Sequence, residues 1–458
     1  MEDSPETIVA LATPPGEGGV AMIRMSGPLS PQILKQLFQR KSSLKNWDSH
    51  RLYYGSLVEG NGVLLDEGLA VWMKAPHSFT GEEVVEFHIH GGPLIARKIL
   101  KAICNLGARS AQAGEFSQRA FLNGKMDLTQ AEAIADMIAA HSEQALKLAQ
   151  AQWQGELSKP VLKLKNDLLE ALVHLEAAID FPEEEIDPEP PPALVQLMES
   201  SIGQINQWLS DYEMGRMIRE GLVVVLIGKP NVGKSSLLNQ LVKEDAAIVH
   251  EQPGTTRDAI EKNIQLGGVS VRLVDTAGIR EAKETIEQEG IARSHRWLDR
   301  ADLVLALFDL STPLQKEDYE IASLASKKNS LFILNKTDLS PQWREEALVS
   351  YCSRPPLRIS SKTGHCVGDL EKYIPQLFGI KSWENTQYAW INQLRHKEAL
   401  ESGRASLTAS LNGLLQKHSP EFVAAGILAA AHYLGEIMGE MTHENILENI
   451  FGRFCIGK

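Results

Sequence analysis

An apolar run from Leu222 to Ile227 ends in Gly228-Lys229-Pro230-Asn231-Val232-Gly233-Lys234-Ser235-Ser236, and few features restrict a fold more. A short strand feeding a G-x-x-x-x-G-K-S/T turn directs backbone N–H groups inward to cradle phosphate oxygens. The helix that starts near Lys234 adds the positive end of its dipole. Lys234 would reach the β- and γ-phosphates of a nucleotide, Ser235 would hold Mg²⁺, and Asn231, Val232, Gly233 and Ser236 would line the cradle. Such a loop needs a parallel sheet with helices on both faces. Residues 222 to about 379 alternate strand and helix patterns as that architecture requires.

Further motifs follow in the order a GTP-binding site demands. Val269 to Val274 reads as a strand delivering Asp275-Thr276-Ala277-Gly278, where the aspartate can hold Mg²⁺ through water and the glycine N–H can approach a γ-phosphate. Leu331 to Leu334 delivers Asn335-Lys336-Thr337-Asp338. A carboxylate there accepts both N–H donors on the guanine edge, a pair that adenine does not offer. Ser360-Ser361-Lys362, after Leu357-Arg358-Ile359, fits the last base-contacting loop. Between the first two motifs lies Pro253-Gly254-Thr255-Thr256-Arg257-Asp258, where a threonine can complete the Mg²⁺ shell and sense the γ-phosphate. The order predicts GTP and GDP as ligands. One departure bears on hydrolysis: Ile279 stands where Ras-type enzymes place a glutamine that orients the attacking water. Isoleucine cannot do this, and spacing assigns no arginine finger. Glu281, Glu284, Glu287 and Glu289 are acids within reach in sequence, although such a run also reads as a solvated helix face.

The chain has 458 residues, room for about three domains. It is 43% hydrophobic and 23% charged, the balance of a soluble globular protein, and no window approaches an unbroken membrane span, so no membrane insertion is expected. The acidic start Met1-Glu2-Asp3-Ser4-Pro5 lacks the regions of a secretory signal, and Cys104, Cys352, Cys366 and Cys455 are widely separated. Both point to a reducing cytoplasm. A net charge of -13 argues against broad coating of nucleic acid but leaves room for a local basic groove.

Residues 1–120 look α/β, with strand-like runs at Thr7 to Ala12, Val20 to Met25, Gly68 to Met73 and Glu83 to Ile89. In the last of these Glu86, His88 and His90 recur every two residues and share a face. That face can be structural, can line a small-molecule pocket or, less readily without a third ligand, can hold a metal. From Thr129 the pattern is helical: Thr129 to Glu132 fits a capping box, and an Ala-rich run extends to about Gln152. After Pro160 the residues Val161, Leu164, Leu168, Leu172, Leu175 and Ile179 form one apolar stripe, which reads as bundle core. The Pro- and acid-rich stretch Phe181 to Pro192 reads as a loop. Helices are expected from about Ala193 to Arg219, Leu394 to Leu415 and Pro420 to Met441. The nucleotide-binding segment looks inserted into a helical domain.

The whole chain resembles the MnmE (TrmE) tRNA-modification GTPases. The resemblance is carried by Thr7-Ile8-Val9-Ala10, Thr13-Pro14-Pro15-Gly16, Gly114-Glu115-Phe116-Ser117, Arg119-Ala120-Phe121-Leu122-Asn123, Gln130-Ala131-Glu132-Ala133, the nucleotide motifs and the ending Phe454-Cys455-Ile456-Gly457-Lys458. It implies a multidomain fold, part α/β and part all-α. An N-terminal α/β folate-binding-like and dimerisation domain (1–120) would precede a discontinuous helical domain (121–219 and 380–458) with an inserted Ras-like P-loop GTPase domain, its sheet mainly parallel (220–379). It implies a homodimer. With an FAD-dependent partner, MnmG (GidA), in a heterotetramer or larger complex, such a protein modifies carbon 5 of the tRNA wobble uridine with an aminomethyl or carboxymethylaminomethyl group. A 5-formyl- or methylene-tetrahydrofolate would supply the carbon. By the same resemblance Arg24, Glu86, Lys125 and Lys458 would bind folate, and Cys455 would belong to the chemistry nearby. Asn231, with His250, Gln252 and Thr255 of the loop from about Ala247 to Thr256, would bind K⁺. Glu287 would position the attacking water, with Thr256, Arg257 and Asp258 in the catalytic loop. The family usually has another residue at His88. The alternative is a GTP-dependent switch in ribosome assembly or signalling, without folate chemistry.

Overall fold

In the computed structural model, which describes residues 6–41, 46–60, 62–180, 192–244, 260–275, 297–378, 391–440 and 444–458, the segments with period-two alternation and the apolar runs of the nucleotide motifs form two separate sheets. Contacts divide the chain into two units: Met1–Ile138, Gln152–Ile202 and Ala399–Lys458 form one, and Ala139–Ala151 with Gly203–Glu398 the other.

The first unit holds strands β1 (Ile8–Leu11), β2 (Gly18–Ser26), β3 (Phe38–Arg40), β4 (Leu52–Val58), β5 (Leu64–Met73), β6 (Val84–Gly91) and β7 (Arg109–Ser110) in the order β3-β4-β5-β6-β2-β1-β7. All neighbours are antiparallel except β1 and β7. Alternation decides its two faces. Ala21, Ile23 and Met25 of β2 and Val85, Phe87 and Ile89 of β6 are buried in one core with Ile33, Leu34 and Leu37 of α1 (Ser30–Leu37) and Ile99 and Ile103 of α2 (Pro93–Asn105). The residues between them point the other way, and the register sets Arg24 opposite Glu86 and Met22 opposite His88.

The helices of this unit include α3 (Glu115–Leu122) and α4 (Leu128–Ala139). The Ala-rich run after Thr129 is not one helix, because it breaks between α4 and α5 (Glu143–Trp153), where Ser142 Oγ accepts the Ala145 amide and starts a new helix. The start of α4 also differs from expectation. Asp127 is the cap: its Oδ1 accepts the Gln130 amide at 2.9 Å, while Gln130 Oε1 accepts the Asp127 amide at 3.0 Å. Thr129, buried at 1% exposure, instead places its hydroxyl against Asp127 and Ser158. A carboxylate is the stronger acceptor for an orphan helix amide, and the reciprocal box forms two residues earlier than the Thr-x-x-Glu pattern suggests.

The stripe on α6 (Ser158–Asp180) is core over its described side chains: Val161, Leu164, Leu168 and Leu172 are buried and Leu175 half-buried, while the Ile179 side chain lies outside them. It packs against α12 (Pro420–Met438), which contributes Val423, Ile427, Ala430, Leu434 and Ile437. Full burial of each such Leu, Ile or Val is worth about 1.5–3 kcal/mol. Among the described residues α12 alone is long and apolar enough by composition to cross a membrane, and half of that span is buried inside the protein. It ends at Met438, short of the expected Met441, because Gly439 turns left-handed at φ 91°, and a Cβ there would meet the Phe121 ring at 2.7 Å. Helix α13 (Glu444–Phe451) packs Leu447 and Phe451 with Ala120, Leu128 and Ala131. Helices α7 (Pro192–Glu220) and α11 (Leu394–Leu415) fall where the periodicity predicts.

The second unit contains β8 (Leu222–Ile227), β9 (Ile260–Leu266), β10 (Val269–Asp275), β11 (Leu303–Asp309), β12 (Ser330–Asn335) and β13 (Leu357–Arg358), ordered β13-β12-β11-β8-β10-β9. Every pair is parallel except β9 with β10. The central strands β8, β11 and β12 are buried almost throughout, which explains their near-continuous apolar runs, whereas β9 and β10 toward the edge carry polar residues. Leu222, Val224 and Leu226 join one core with α8 (Lys234–Glu244) and α10 (Val367–Leu377). Val225 and Ile227 join the opposite core with α9 (Lys316–Ala325). The sheet is mainly parallel, as the motifs require.

Candidate functional site: a nucleotide cleft and a second polar site

Strand β8 delivers the glycine loop to the carboxyl edge of its sheet, where ligands of open α/β sheets bind. Gly228 and Gly233 take φ values of 153° and 101°. A Cβ on Gly228 would lie 2.7 Å from Leu307 O, and one on Gly233 would collide with the Asn335 amide, so the turn admits no side chain at either position. Asn231 is exposed and left-handed at φ 63°, a conformation asparagine tolerates better than most residues. Val232 is buried beneath the loop and Ser236 lies exposed at the start of α8. Lys234 is 4% exposed, and its Nζ donates to Gly228 O at 2.8 Å and Lys229 O at 2.7 Å. The ammonium is thus held across the mouth of the loop. Ser235 Oγ donates to Asp275 Oδ2 at 3.2 Å. These oxygens, at the ends of different elements, form a hard donor pair that suits Mg²⁺.

The base-recognition motifs sit along the same sheet edge. Asn335 is fully buried, and its Nδ2 donates to Val232 O at 2.7 Å and Ser361 Oγ at 2.8 Å while its Oδ1 accepts the Ser361 amide at 2.9 Å. One amide therefore ties the phosphate loop to the loop after β13. Asp338 is exposed and accepts the Ser360 hydroxyl at 2.6 Å. That hydrogen bond, with its own backbone amide and the charges of Lys362 and Lys336, holds its carboxyl below the usual carboxylate range. An ionised acceptor is what two guanine N–H donors need. Lys336, left-handed at φ 65°, donates to Asp309 Oδ2 at 2.6 Å. Burial pushes Asp309 upward, but Lys336 and the Ser311 hydroxyl and amide outweigh it, and the carboxyl titrates below its ordinary value. His250, Gln252, Thr255, Thr256, Arg257, Asp258, Thr276, Ala277, Gly278, Ile279 and Glu287 lie outside the described residues.

In the first unit Arg24 Nε donates to Glu86 Oε1 at 2.7 Å, both side chains only 13% exposed. The guanidinium lies 5.5 Å from the centre of the Phe79 ring and 5.8 Å from that of Phe116. Lys125 Nζ donates to Pro76 O at 2.9 Å, at the other end of the loop that carries Phe79. The C-terminal tail reaches the same edge: Ile456 bridges Ala113, and Lys458 O accepts the Phe116 amide at 3.2 Å. Arg24, paired with Glu86, thus lies against Phe79 and Phe116, Lys125 contacts the start of the loop that carries Phe79, and the backbone of Lys458, three residues after the exposed Cys455, meets Phe116. The face shared by Glu86, His88 and His90 does not converge on one point. His90 Nδ1 is 2.8 Å from Asp66, on β5, and among the described residues no group of three or more His, Cys, Asp or Glu side chains can hold a metal.

A family model for the MnmE helical domain matches residues 128–455, and one for the GTP-binding protein TrmE N-terminus matches residues 7–125. The chain belongs to the MnmE family. The tRNA modification GTPase MnmE of Natranaerobius thermophilus is 41% identical over 456 residues, covering 99% of each chain. That of Aquifex aeolicus is 41% identical over 454 residues, covering 99% of this chain and 100% of its own. Among solved structures, the G domain of the T. maritima FeoB iron transporter aligns with 34% of this chain and 97% of its own, at 28% identity and a TM-score of 0.26.

Two groups of this MnmE-family chain have roles that sequence reasoning does not assign. Asp309 is one; its signal is a lone carboxylate ending the fully apolar Leu303 to Phe308. The other is Glu115, which lies 2.6 Å from Arg109 and 3.0 Å from Arg119 and accepts the Gln112 amide, while Arg119 also reaches Glu82. Burial raises the Glu115 carboxyl, yet Arg109, the Gln112 amide and Arg119 together hold it lower than usual. The Gly114-Glu115-Phe116-Ser117 and Arg119 motif thus fixes the start of α3 and sets Phe116 over Arg24. Glu115 and Arg119 are motif residues of the family resemblance, but nothing in the spacing marks their ion pairs with Arg109 and Glu82, because these join α3 to β7 and to the segment before β6.

Proposed function

We propose that this chain hydrolyses GTP in the service of tRNA modification, the activity named for its relatives. The observation that carries the reading is the convergence, on one sheet edge, of Lys234 across the glycine loop, the Ser235–Asp275 oxygen pair, and Asn335 linking that loop to Ser361 beside Asp338. Ser235 and Thr256 would hold Mg²⁺, which when bound neutralises charge on the β- and γ-phosphates. Lys234 would exchange its contacts with Gly228 O and Lys229 O for phosphate oxygens. Asp338 would accept the guanine donors, flanked by Ser360, Ser361 and Lys362. Thr255 and Thr256, with Asp275, Thr276, Ala277 and Gly278, would surround the γ-phosphate, with Glu287 orienting water.

The finer reading rests on the family. K⁺ held by Asn231, with His250, Gln252 and Thr255, would add positive charge near the phosphates, where Ile279 leaves no water-positioning side chain. Arg24, Glu86, Lys125 and Lys458 would hold a tetrahydrofolate derivative. The Glu86 side chain can accept donors from a pterin edge, and lysines can meet the ligand's carboxylates. A cytoplasmic homodimer working with the flavoprotein MnmG on the wobble uridine completes the proposal. The division at residues 120, 219 and 379 belongs to it as well.

The test couples the two activities. GTP turnover and modified wobble uridine are measured together, with flavoprotein, folate and tRNA, in KCl and then in NaCl at equal ionic strength. Turnover at least about tenfold faster in KCl is expected from the electrostatic stabilisation such a cation supplies. Equal rates remove the K⁺ reading, and GTP turnover without any modified uridine removes the tRNA reading.

A further inference from the structure

The half-covered face of the N-terminal sheet carries an unmet hydrogen-bonding atom beside the Arg24–Glu86 pair. Glu86 has two oxygens: Oε1 accepts Arg24 Nε–H at 2.7 Å, and Oε2 lies 3.6 Å from His88 Nε2. The second separation is too long for a hydrogen bond. His88 Nε2 is shielded from solvent and has no hydrogen-bond partner, although the side chain as a whole keeps 31% of its surface exposed. Its cross-strand neighbours on this face, Met22 of β2 and Leu69 of β5, offer no strong donor or acceptor. A buried nitrogen left without a partner costs stability and calls for a partner, which a water, an ion or a bound ligand can supply.

The chemistry of the pair specifies what fits. Glu86 Oε2 can only accept, whereas an imidazole nitrogen can donate. An acceptor and a donor a few ångströms apart on one face are complementary to a lactam edge, in which an N–H and a C=O stand side by side. A reduced 2-amino-4-oxopteridine presents that edge. We propose that His88 is a specificity residue of this site, donating from Nε2 to the 4-oxo oxygen while Glu86 Oε2 accepts the adjacent ring N–H. The assignment rests on the folate reading given above and adds His88 to it.

The experiment is calorimetric titration of the full-length protein with 5-formyltetrahydrofolate, comparing wild type with His88→Leu, His88→Gln and Glu86→Ala; thermal unfolding checks that each is folded. Leucine keeps bulk but removes the hydrogen bond, and glutamine keeps an N–H donor. Affinity should fall about tenfold or more in His88→Leu and stay within about threefold of wild type in His88→Gln, the difference one ligand hydrogen bond makes. If His88→Leu does not fold, His88→Asn, whose shorter amide cannot reach, takes its place with the same expectation. His88→Leu binding like wild type, or leucine and glutamine weakening binding equally, overturns the His88 contact. Glu86→Ala binding like wild type, or no binding by wild type, overturns the folate reading instead, so the two failures are distinguishable.

Discussion

Asp309 shows how a single carboxylate can set a recognition loop. Its Oδ2 holds Lys336, whose left-handed backbone turns the chain from β12 toward Asp338. The native pKa lies below the ordinary 3.8, so the stabilisation from ionised Asp309 is fully present above that value and is lost as pH falls through the depressed native value. Asp309→Asn should therefore lower stability by about 1–2 kcal/mol at neutral pH, and its unfolding free energy should converge with that of wild type in acid. Denaturant titration across pH reads this out; a gap that stays constant down to strong acid would mean that the ion pair is not its source. The nucleotide site is largely legible in sequence because its parts are contiguous: Gly228 to Ser236 carries its strand, turn and helix start together. Asp309, and the pairing of Arg24 with Glu86 across two strands, are fixed by chain segments far apart in sequence, and only strand register reveals them.

At the scale of elements, periodicity locates β1, β2, β5, β6, β8, β10 and β12 and the long helices α6, α7, α11 and α12, but it passes over shorter elements such as α1, α2, β3 and β4, and helix ends are decided by local contacts. The α6 stripe reads directly as core because four buried positions repeat at helical spacing. The start of α4 does not, since Asp127-x-x-Gln130 and Thr129-x-x-Glu132 are overlapping candidates and only the reciprocal hydrogen bonds choose between them. The break before α5 is equally hidden: Ser142 inside an Ala-rich run looks compatible with helix until its hydroxyl is seen accepting the Ala145 amide. Asp127→Ala removes the cap and should cost about 1 kcal/mol, within the range for N-cap deletions. Guanidinium-induced unfolding gives the value. An Asp127→Ala protein as stable as wild type would return the cap to Thr129.

At the scale of the whole molecule, the chain carries two polar sites on two separately cored units, so each ligand should leave its own footprint. The cleft formed by Gly228 to Ser235, Asp275, Asn335 to Asp338 and Ser360 to Lys362 belongs to the unit that includes Gly203–Glu398, while Arg24, Glu86, Phe79, Phe116 and the tail belong to the other. A ligand that binds only the native state adds about 2.7 kcal/mol at a hundred times its dissociation constant, and that gain slows hydrogen exchange where opening would break the site. GDP with Mg²⁺ should protect amides of residues 228–238, 335–338 and 359–362. 5-Formyltetrahydrofolate should protect residues 76–91, 113–117 and 455–458, with the largest change in β6 and the tail. Exchange measured by mass spectrometry on the full-length protein separates the two patterns. If 5-formyltetrahydrofolate protects only the nucleotide loops, or leaves residues 455–458 unprotected, then Lys458 and the tail form no part of the second site, and the grouping around Phe79 and Phe116 serves the fold alone.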